Sequence, residues 1–386
     1  MGLLLAPSSS CGAPCSGSIG RAVGSRAVAP GSDLDGLWHQ QYLRSEASRN
    51  LLTAVRNGDV LLVKAALGGL AVPDCCDSAG VTPLHAAADV GHAEILAMLL
   101  GRRASPDAPG GPIFNGPAAA LASRRGHGEC LRLLLEARAV PESRGGPDAE
   151  TCLHFAAADG HEDCLRMLLE AHAPTAKVIL RGAVDRTILQ HRDLVANFPD
   201  AKGRLPLHIA AGSEQLGCAS LLILRGFSLL DAVDCEGDGA IHAAALASVQ
   251  ATGSRLCTLI VEAQGDVNLR TACGDTALHL VAMHGLAEVT RVLLTLAADP
   301  CLLEGTKLRS PLHIAARSGS AEVCRLLVGG RADPHSCDAT QATALVKANS
   351  PACREVIAEA LRKVERGQYQ ISADLDALDA GGSLVA

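Results

Sequence analysis

The dipeptide Leu-His recurs along this chain of 386 residues at spacings that indicate a repeated structural unit. It occurs five times, and Ile241-His242 is a close variant. The intervals between successive histidines of the set are 69, 54, 34, 37 and 34 residues, so the first is about two periods of 34. A fixed period of roughly 20 to 50 residues is typical of a solenoid, in which each unit packs only on its neighbours. The five histidines are His85, His154, His208, His279 and His313.

The longest copies carry local signals for a pair of helices. In the copy that starts at Thr82, the threonine can cap backbone N–H groups of the first turn, and Pro83 follows where no intrahelical N–H partner exists. Leucine and successive alanines then form a thin face that a neighbouring helix can approach closely. Gly91 favours the left-handed backbone of a helix end, and a leucine-rich second helix and a Gly/Asp/Pro-rich turn follow.

This pattern resembles the ankyrin repeat family, whose unit has about 33 residues, two antiparallel helices, a β-turn and a Thr-Pro-Leu-His-x-Ala start. The resemblance covers roughly residues 46–363. It implies an all-α ankyrin-repeat solenoid of about eight to nine helix-turn-helix repeats joined by β-turn fingers. The copy at Pro117 is worn, because Ala120 stands where histidine belongs. The copy at Thr343 also lacks the histidine, as we expect of a terminal repeat.

Two places break the period. A Pro/Gly-rich connection at 105–112 predicts an irregular finger. The interval before His208 carries an insertion at about 174–195. Apolar residues such as Val184 and Ile188 recur there at helical spacing, and two interpretations stay open: an extra helix packed on the stack, or a projecting helix that contacts a partner. Insertions between repeats often lie on the binding face.

Both ends are predicted to lie outside the repeats. Residues 1–45 are predicted to be a disordered N-terminal segment with a capping helix from residue 33, which would place the single tryptophan, Trp38, over the open end of the stack. Residues 1–32 hold no acidic side chain and seven serines, which is typical of an organelle transit segment and equally of a Gly/Ser/Pro-rich tail. Residues 364–386 are predicted to be an acidic disordered tail.

The cysteines and histidines are interpreted as residues of the structural frame, by which we mean the positions that hold each repeat together and stack it on its neighbours. The fifteen cysteines show no Cys-x-x-Cys spacing, and several occupy slots that apolar residues hold in other copies, which indicates buried free thiols in a reducing compartment. Nine of the fourteen histidines occupy repeat slots, and such spacing cannot form one metal cluster. In the family, the Leu-His histidine bonds the turn and the repeat's first threonine. Cysteines in apolar slots are Cys130, Cys164 and Cys324; those near turns, expected to be more exposed, are Cys75, Cys76 and Cys273.

Composition restricts the class of partner. Aromatic residues make up 2% of the chain, too few for a thick globular core. The net charge of −7 is spread over interspersed charges of both signs, so no basic stripe indicates nucleic-acid binding. No apolar run approaches the roughly 18 residues that a membrane span needs. We therefore predict a soluble, monomeric, cytoplasmic protein with no nucleic-acid partner and no transmembrane segment.

Three functions are weighed. The first is a non-catalytic scaffold that binds a partner protein through the turn tips and the concave face of the first helices. The second is a substrate-recruiting adaptor or an enzyme inhibitor built on the same ankyrin stack. The third is an enzyme with an unrecognised active site, which we disfavour because no phosphate-loop, Gly-x-Ser-x-Gly or His-Glu-x-x-His motif occurs.

We predict no catalytic, cofactor-binding or metal-binding residues and no cofactor. The residues predicted to contact a protein partner were placed by the register of the family's turn tips and first helices. They are Asp77, Ser78, Asp89, Val90, Arg124, Arg125, Asp159, Lys202, Ser213, Glu236, His284, Arg317 and Ser318.

Overall fold

Helix pairs make up the chain over the residues that the structure, a computed structural model, describes: 46–69, 71–111, 116–171, 195–225 and 229–366. Nine pairs of α-helices follow one another in these ranges, with no named strand. The first helices are α1 (46–57), α3 (Pro83–Val90), α5 (Ala118–Arg125), α7 (Cys152–Asp159), α9 (Pro206–Gly212), α11 (Ala240–Ala245), α13 (Ala277–His284), α15 (Pro311–Ser318) and α17 (Ala344–Lys347). The second helices are α2 (Val60–Gly68), α4 (Ala93–Gly101), α6 (Gly128–Glu136), α8 (Glu162–Ala171), α10 (Leu216–Leu224), α12 (Gln250–Glu262), α14 (Ala287–Thr295), α16 (Ala321–Gly329) and α18 (Pro351–Glu365).

The ends of the first helices follow from the residues that flank them. The Thr82 hydroxyl accepts a hydrogen bond from the backbone N–H of His85, and Pro83 occupies the first turn of α3. Gly91 ends that helix in the left-handed conformation with φ of 88°, where a side chain would be strained. The predicted capping signals are therefore confirmed for this repeat.

Stacking of neighbouring pairs buries one continuous core. From α3 onward, each first helix packs on the first helix of the next pair, and each second helix from α2 onward packs on the next second helix. The leucine of each Leu-His pair is completely or almost completely buried, and alanines allow the close approach of the helices. The predicted all-α solenoid is confirmed. It includes the worn copy, in which α5 forms although Ala120 replaces the histidine.

The segments that connect one pair to the next form fingers, and neighbouring fingers are hydrogen-bonded at their tips. In six places a backbone N–H of one tip donates to a carbonyl of the tip before it, over N···O distances of 2.7–3.3 Å. These bonds satisfy backbone groups that no helix pairs, so they add a second row of contacts between repeats. The pairs are Gly111 with Gly80, Ala201 with Asp148, Cys235 with Lys202, Ala272 with Glu236, Gly305 with Cys273, and Ala339 with Lys307.

The two departures from the period are described only at their edges. In the irregular finger, Gly111 keeps the tip bond to Gly80, and residues 112–115 lie outside the described residues. Residues 172–194, which include most of the insertion predicted at about 174–195, also lie outside the described residues. The frame resumes with a short 3₁₀ helix at Val195–Asn197, where the Asn197 side chain accepts a hydrogen bond from the backbone N–H of Leu229.

The outer face of the first repeat carries an apolar groove. Its volume is about 470 Å³, and on the same repeat Leu61 and Leu62 are 79% and 58% exposed. Both leucines belong to α2, and no repeat precedes this one among the described residues. The predicted capping helix and Trp38 lie outside the described residues. The groove is lined by Ala47, Asn50, Thr53, Ala54, Asn57, Leu62, Ala65, Ala66 and Gly69.

We expect Trp38 to cover this groove, because burying large apolar side chains there stabilises each by about 1.5–3 kcal/mol. The wild-type chain should show blue-shifted tryptophan emission that iodide quenches weakly. Leu62→Asp should shift the emission to the red and increase quenching, with the helical circular dichroism unchanged. Leu224→Asp is the matched control, because that leucine is 78% exposed on α10, far from the groove. Equal responses of the two variants would contradict the assignment.

Candidate functional site

The six histidines of the Leu-His set form a ladder between repeats. In each of the six, Nε2 lies 2.9–3.2 Å from a backbone carbonyl oxygen of the next finger. In five of them, Nδ1 accepts a backbone N–H from the residue that caps the helix. A neutral ring with the proton on Nε2 satisfies both contacts. The carbonyls, in chain order, belong to Gly116, Arg204, Ala232, Leu269, Arg309 and Ala342.

Burial favours the neutral form of these rings. The pKa of each of the six histidines is lowered from its ordinary value, first because burial disfavours the imidazolium, while the bond to the carbonyl raises it by less. Since both nitrogens hold the frame, none is free to move a proton for a substrate. The frame function implied by the family resemblance therefore describes these residues.

Three further histidines, His92, His127 and His161, each follow a first helix and lie against the glycine that follows the first helix of the preceding repeat. The ring of His127 lies over Gly91, at 2.7 Å from where a β-carbon would stand, and its Nε2 lies 3.2 Å from the Asp89 carbonyl oxygen. His161 repeats this arrangement with Gly126 and the Arg124 carbonyl, at 3.1 Å. A glycine is required beneath each ring because a side chain would collide with it.

The cysteines in the second helices are core residues. Burial raises the pKa of Cys130 and Cys164 to about 11 and raises the pKa of Cys324 as well. They are therefore thiols at neutral pH, as the sequence predicted. Among the turn cysteines, Cys76 and Cys273 are exposed, and Cys75 is half-buried with its pKa raised by burial, so all three are more exposed than the core cysteines.

The surface left free by the frame is a row of side chains at the ends of the first helices. In α15, every residue from Pro311 to Ala316 is buried, whereas Arg317 and Ser318 are exposed. The same change occurs in α5 and α7. Together with the finger tips, this row forms the face that we call the concave face.

The predicted partner-binding residues differ in their exposure and in the bonds that their side chains form. Asp77 is half-buried, and its Oδ1 accepts the backbone N–H groups of two residues in its own finger at 2.9 Å each, so it shapes the turn. Asp89 forms an ion pair with Arg125 of the next repeat at 2.7 Å. The exposed members are Ser78, Val90, Arg124, Arg125, Asp159, Lys202, Ser213, Glu236, His284, Arg317 and Ser318.

Sequence reasoning missed an exposed leucine on the concave face. Leu246 directly follows α11 and is 42% exposed, and Met283, near the end of α13 in the next repeat, is 45% exposed. Leu246 was missed because no glycine follows this first helix, so the register did not mark its exposed end. Its only signal is a leucine directly after the alanine run that is buried in α11.

In the described part of the chain, no three His, Cys, Asp or Glu side chains are grouped so that they could hold a metal ion. In the same ranges, no helix has both the length and the hydropathy needed to cross a membrane.

The fold and the exposed face define a solenoid of stacked helix pairs with a long binding surface. Family models described as "Ankyrin repeats (3 copies)" match residues 51–137, 113–180 and 246–338, and one described as "Ankyrin repeats (many copies)" matches 153–223. These matches cover more than half of the chain. The chain belongs to the ankyrin repeat family.

Parts of the chain are similar to two known proteins. It is 31% identical over 150 residues to Neurogenic locus notch homolog protein 1 of Xenopus tropicalis, an alignment that covers 39% of this chain and only 5% of that protein. It is also similar to the crystal structure of the ankyrin repeat domain of Bcl-3, a member of the IkappaB protein family, with a TM-score of 0.52 and 25% sequence identity. That match covers 64% of this chain and 98% of the Bcl-3 domain chain.

Proposed function

We propose that this chain is a non-catalytic scaffold that binds a partner protein through its finger tips and the concave face of its first helices. The observation that supports this most is the change from buried to exposed side chains at the end of the first helices, repeat after repeat. Stacking explains the buried positions and leaves the exposed ones available for binding.

The ladder of histidines supports a role without catalysis. A general base needs a ring nitrogen within reach of a substrate proton. In His279, Nδ1 lies 3.1 Å from the Thr276 backbone nitrogen and Nε2 lies 3.2 Å from the Arg309 carbonyl oxygen. Both ring nitrogens of this histidine are thus occupied by bonds to the backbone of the repeats.

The chemistry of the concave face supports a protein as the partner. Leu246 and Met283 are exposed apolar side chains at equivalent positions of the sixth and seventh repeats. Charged side chains lie on both sides, Asp159 towards the N-terminus and Arg317 towards the C-terminus. A central apolar patch with a polar rim is typical of protein–protein interfaces, in which a few central residues carry most of the affinity.

Leu246→Asp and Met283→Asp, made singly, should each weaken capture of the partner from a lysate of the source cells at least tenfold. A central residue of this kind contributes about 1–2 kcal/mol or more to binding, and about 1.4 kcal/mol is a factor of ten. Leu224→Asp is the matched control, because it introduces the same charge at an exposed leucine away from the concave face. The proposal is wrong if both variants fold and retain every protein that the wild type captures.

A further inference from the structure

A groove lined by cations lies at the C-terminal end of the concave face. It has a volume of about 140 Å³ and is bounded by the finger before α15, the finger before α17 and residues of these two helices. Four basic residues contribute to its wall. They are Lys307, Arg309, Arg317 and Lys347.

Only two of these cations are neutralised by the described residues. Arg309 is bonded to both carboxylate oxygens of Glu304, at 2.6 and 2.7 Å, and Lys347 Nζ lies 3.1 Å from Asp338 Oδ2. Lys307 and Arg317 are exposed, and within the described ranges neither side chain forms an ion pair. The groove therefore carries an excess of two positive charges and favours an acidic occupant.

The chain itself provides an acidic segment next to this groove. Residues 367–386 follow α18 directly, contain no lysine or arginine, and carry three aspartates. They are Asp374, Asp376 and Asp379. A segment joined to the same molecule has an effective concentration on the order of millimolar, so a weak ionic contact is sufficient for occupancy.

The chain between α18 and the aspartates is long enough to span neighbouring repeats. Nine residues separate Glu365, the last residue of α18, from Asp374. An extended chain advances about 3.3 Å per residue, so this connection can span up to ~30 Å.

We propose that residues 367–379 bind across this groove, with Asp374 and Asp376 meeting the two cations that the described residues leave without an ion pair, Lys307 and Arg317. Opposite charges on the segment and on the groove favour this contact.

Docking of the segment covers part of the concave face, since Arg317 belongs both to the groove and to the proposed partner surface. The segment would compete there with an acidic region of a partner. The docking itself does not depend on the proposed function, so the experiment below uses the full chain without any partner.

Carbodiimide, which joins a carboxylate to a lysine amine in direct contact, tests the docking in the full chain. Asp374 or Asp376 should be joined to Lys307 or Lys347, as identified by mass spectrometry of the digested protein. The pair Lys202–Asp148, at 2.8 Å, is the internal positive control. Products should decrease in 1 M salt, where the Debye length is about 3 Å. Detection of the control pair without any tail-to-groove product would overturn the proposal.

Cleavage by a protease that cuts before aspartate gives an independent readout. In the wild type, cutting at Asp374 and Asp376 should be slow, and in Lys307→Glu/Arg317→Glu it should be several-fold faster. The control, Lys64→Glu/Arg144→Glu, reverses two exposed cations in distant repeats and should leave the rate unchanged. Equal rates in the wild type and the groove variant would overturn the docking, as would equal acceleration in the control.

Discussion

Replacing His279 by alanine should lower the free energy of unfolding by about 2–4 kcal/mol. The ring is fully buried in the seventh repeat and satisfies the Thr276 N–H and the Arg309 carbonyl at once. Its removal leaves the Thr276 N–H without its partner, removes one of the two bonds to the Arg309 carbonyl, which also accepts the Glu304 N–H, and creates a cavity between two repeats. Urea unfolding followed by circular dichroism measures the change.

His284→Ala is the matched control for this variant. The same residue type stands five positions later on α13, at its exposed end. A surface substitution of this kind changes stability by about 0.5 kcal/mol or less. Equal effects of the two substitutions would show that the ladder does not stabilise the stack.

Acidification should destabilise the stack through the six buried histidines together. Their pKa values in the folded state lie below that of a free histidine, about 6.5, because burial disfavours the charged ring. The unfolded chain therefore binds more protons below pH 6.5. The stability that the neutral rings contribute is complete above that pH and is lost as the pH falls towards the folded-state pKa values.

Urea unfolding at pH 7.5, 6.5 and 5.5 measures this dependence. The free energy of unfolding should fall by about 0.3 kcal/mol for each histidine between the first two values, and then more steeply, by up to about 1.4 kcal/mol per pH unit for each histidine. His279→Ala should show a shallower fall, because it binds one proton fewer on unfolding. Constant stability between pH 6.5 and 5.5 would contradict the assignment of neutral rings to the ladder.

The fold was predictable because its signals are local. Each signal determines the conformation of a few residues, as the caps at Thr82 and Gly91 and the alanine-rich helix faces do. The same signals recur with the period along the chain. Even the worn copy at Ala120 kept enough of these signals to form its helix, since stacking on its neighbours supplies the rest.

The candidate site was only partly predictable, because exposure depends on the whole stack. Asp77 was assigned to partner binding from its register, yet its Oδ1 accepts backbone N–H groups of its own turn and its Oδ2 pairs with Arg56. Leu246 was not assigned at all, because its exposure follows from where α11 ends. No local pattern states which partner the exposed residues bind, since the frame is stable with many different side chains at these positions.

The row of tip bonds and histidine bonds has a mechanical consequence. Every such bond joins one repeat to the next, so a force applied to the two ends of the chain would load the junctions in series. The ninth repeat, whose first helix has only four residues, should be the first of the described repeats to detach. The molecule would then extend in steps of about one repeat each, while the remaining repeats stay folded.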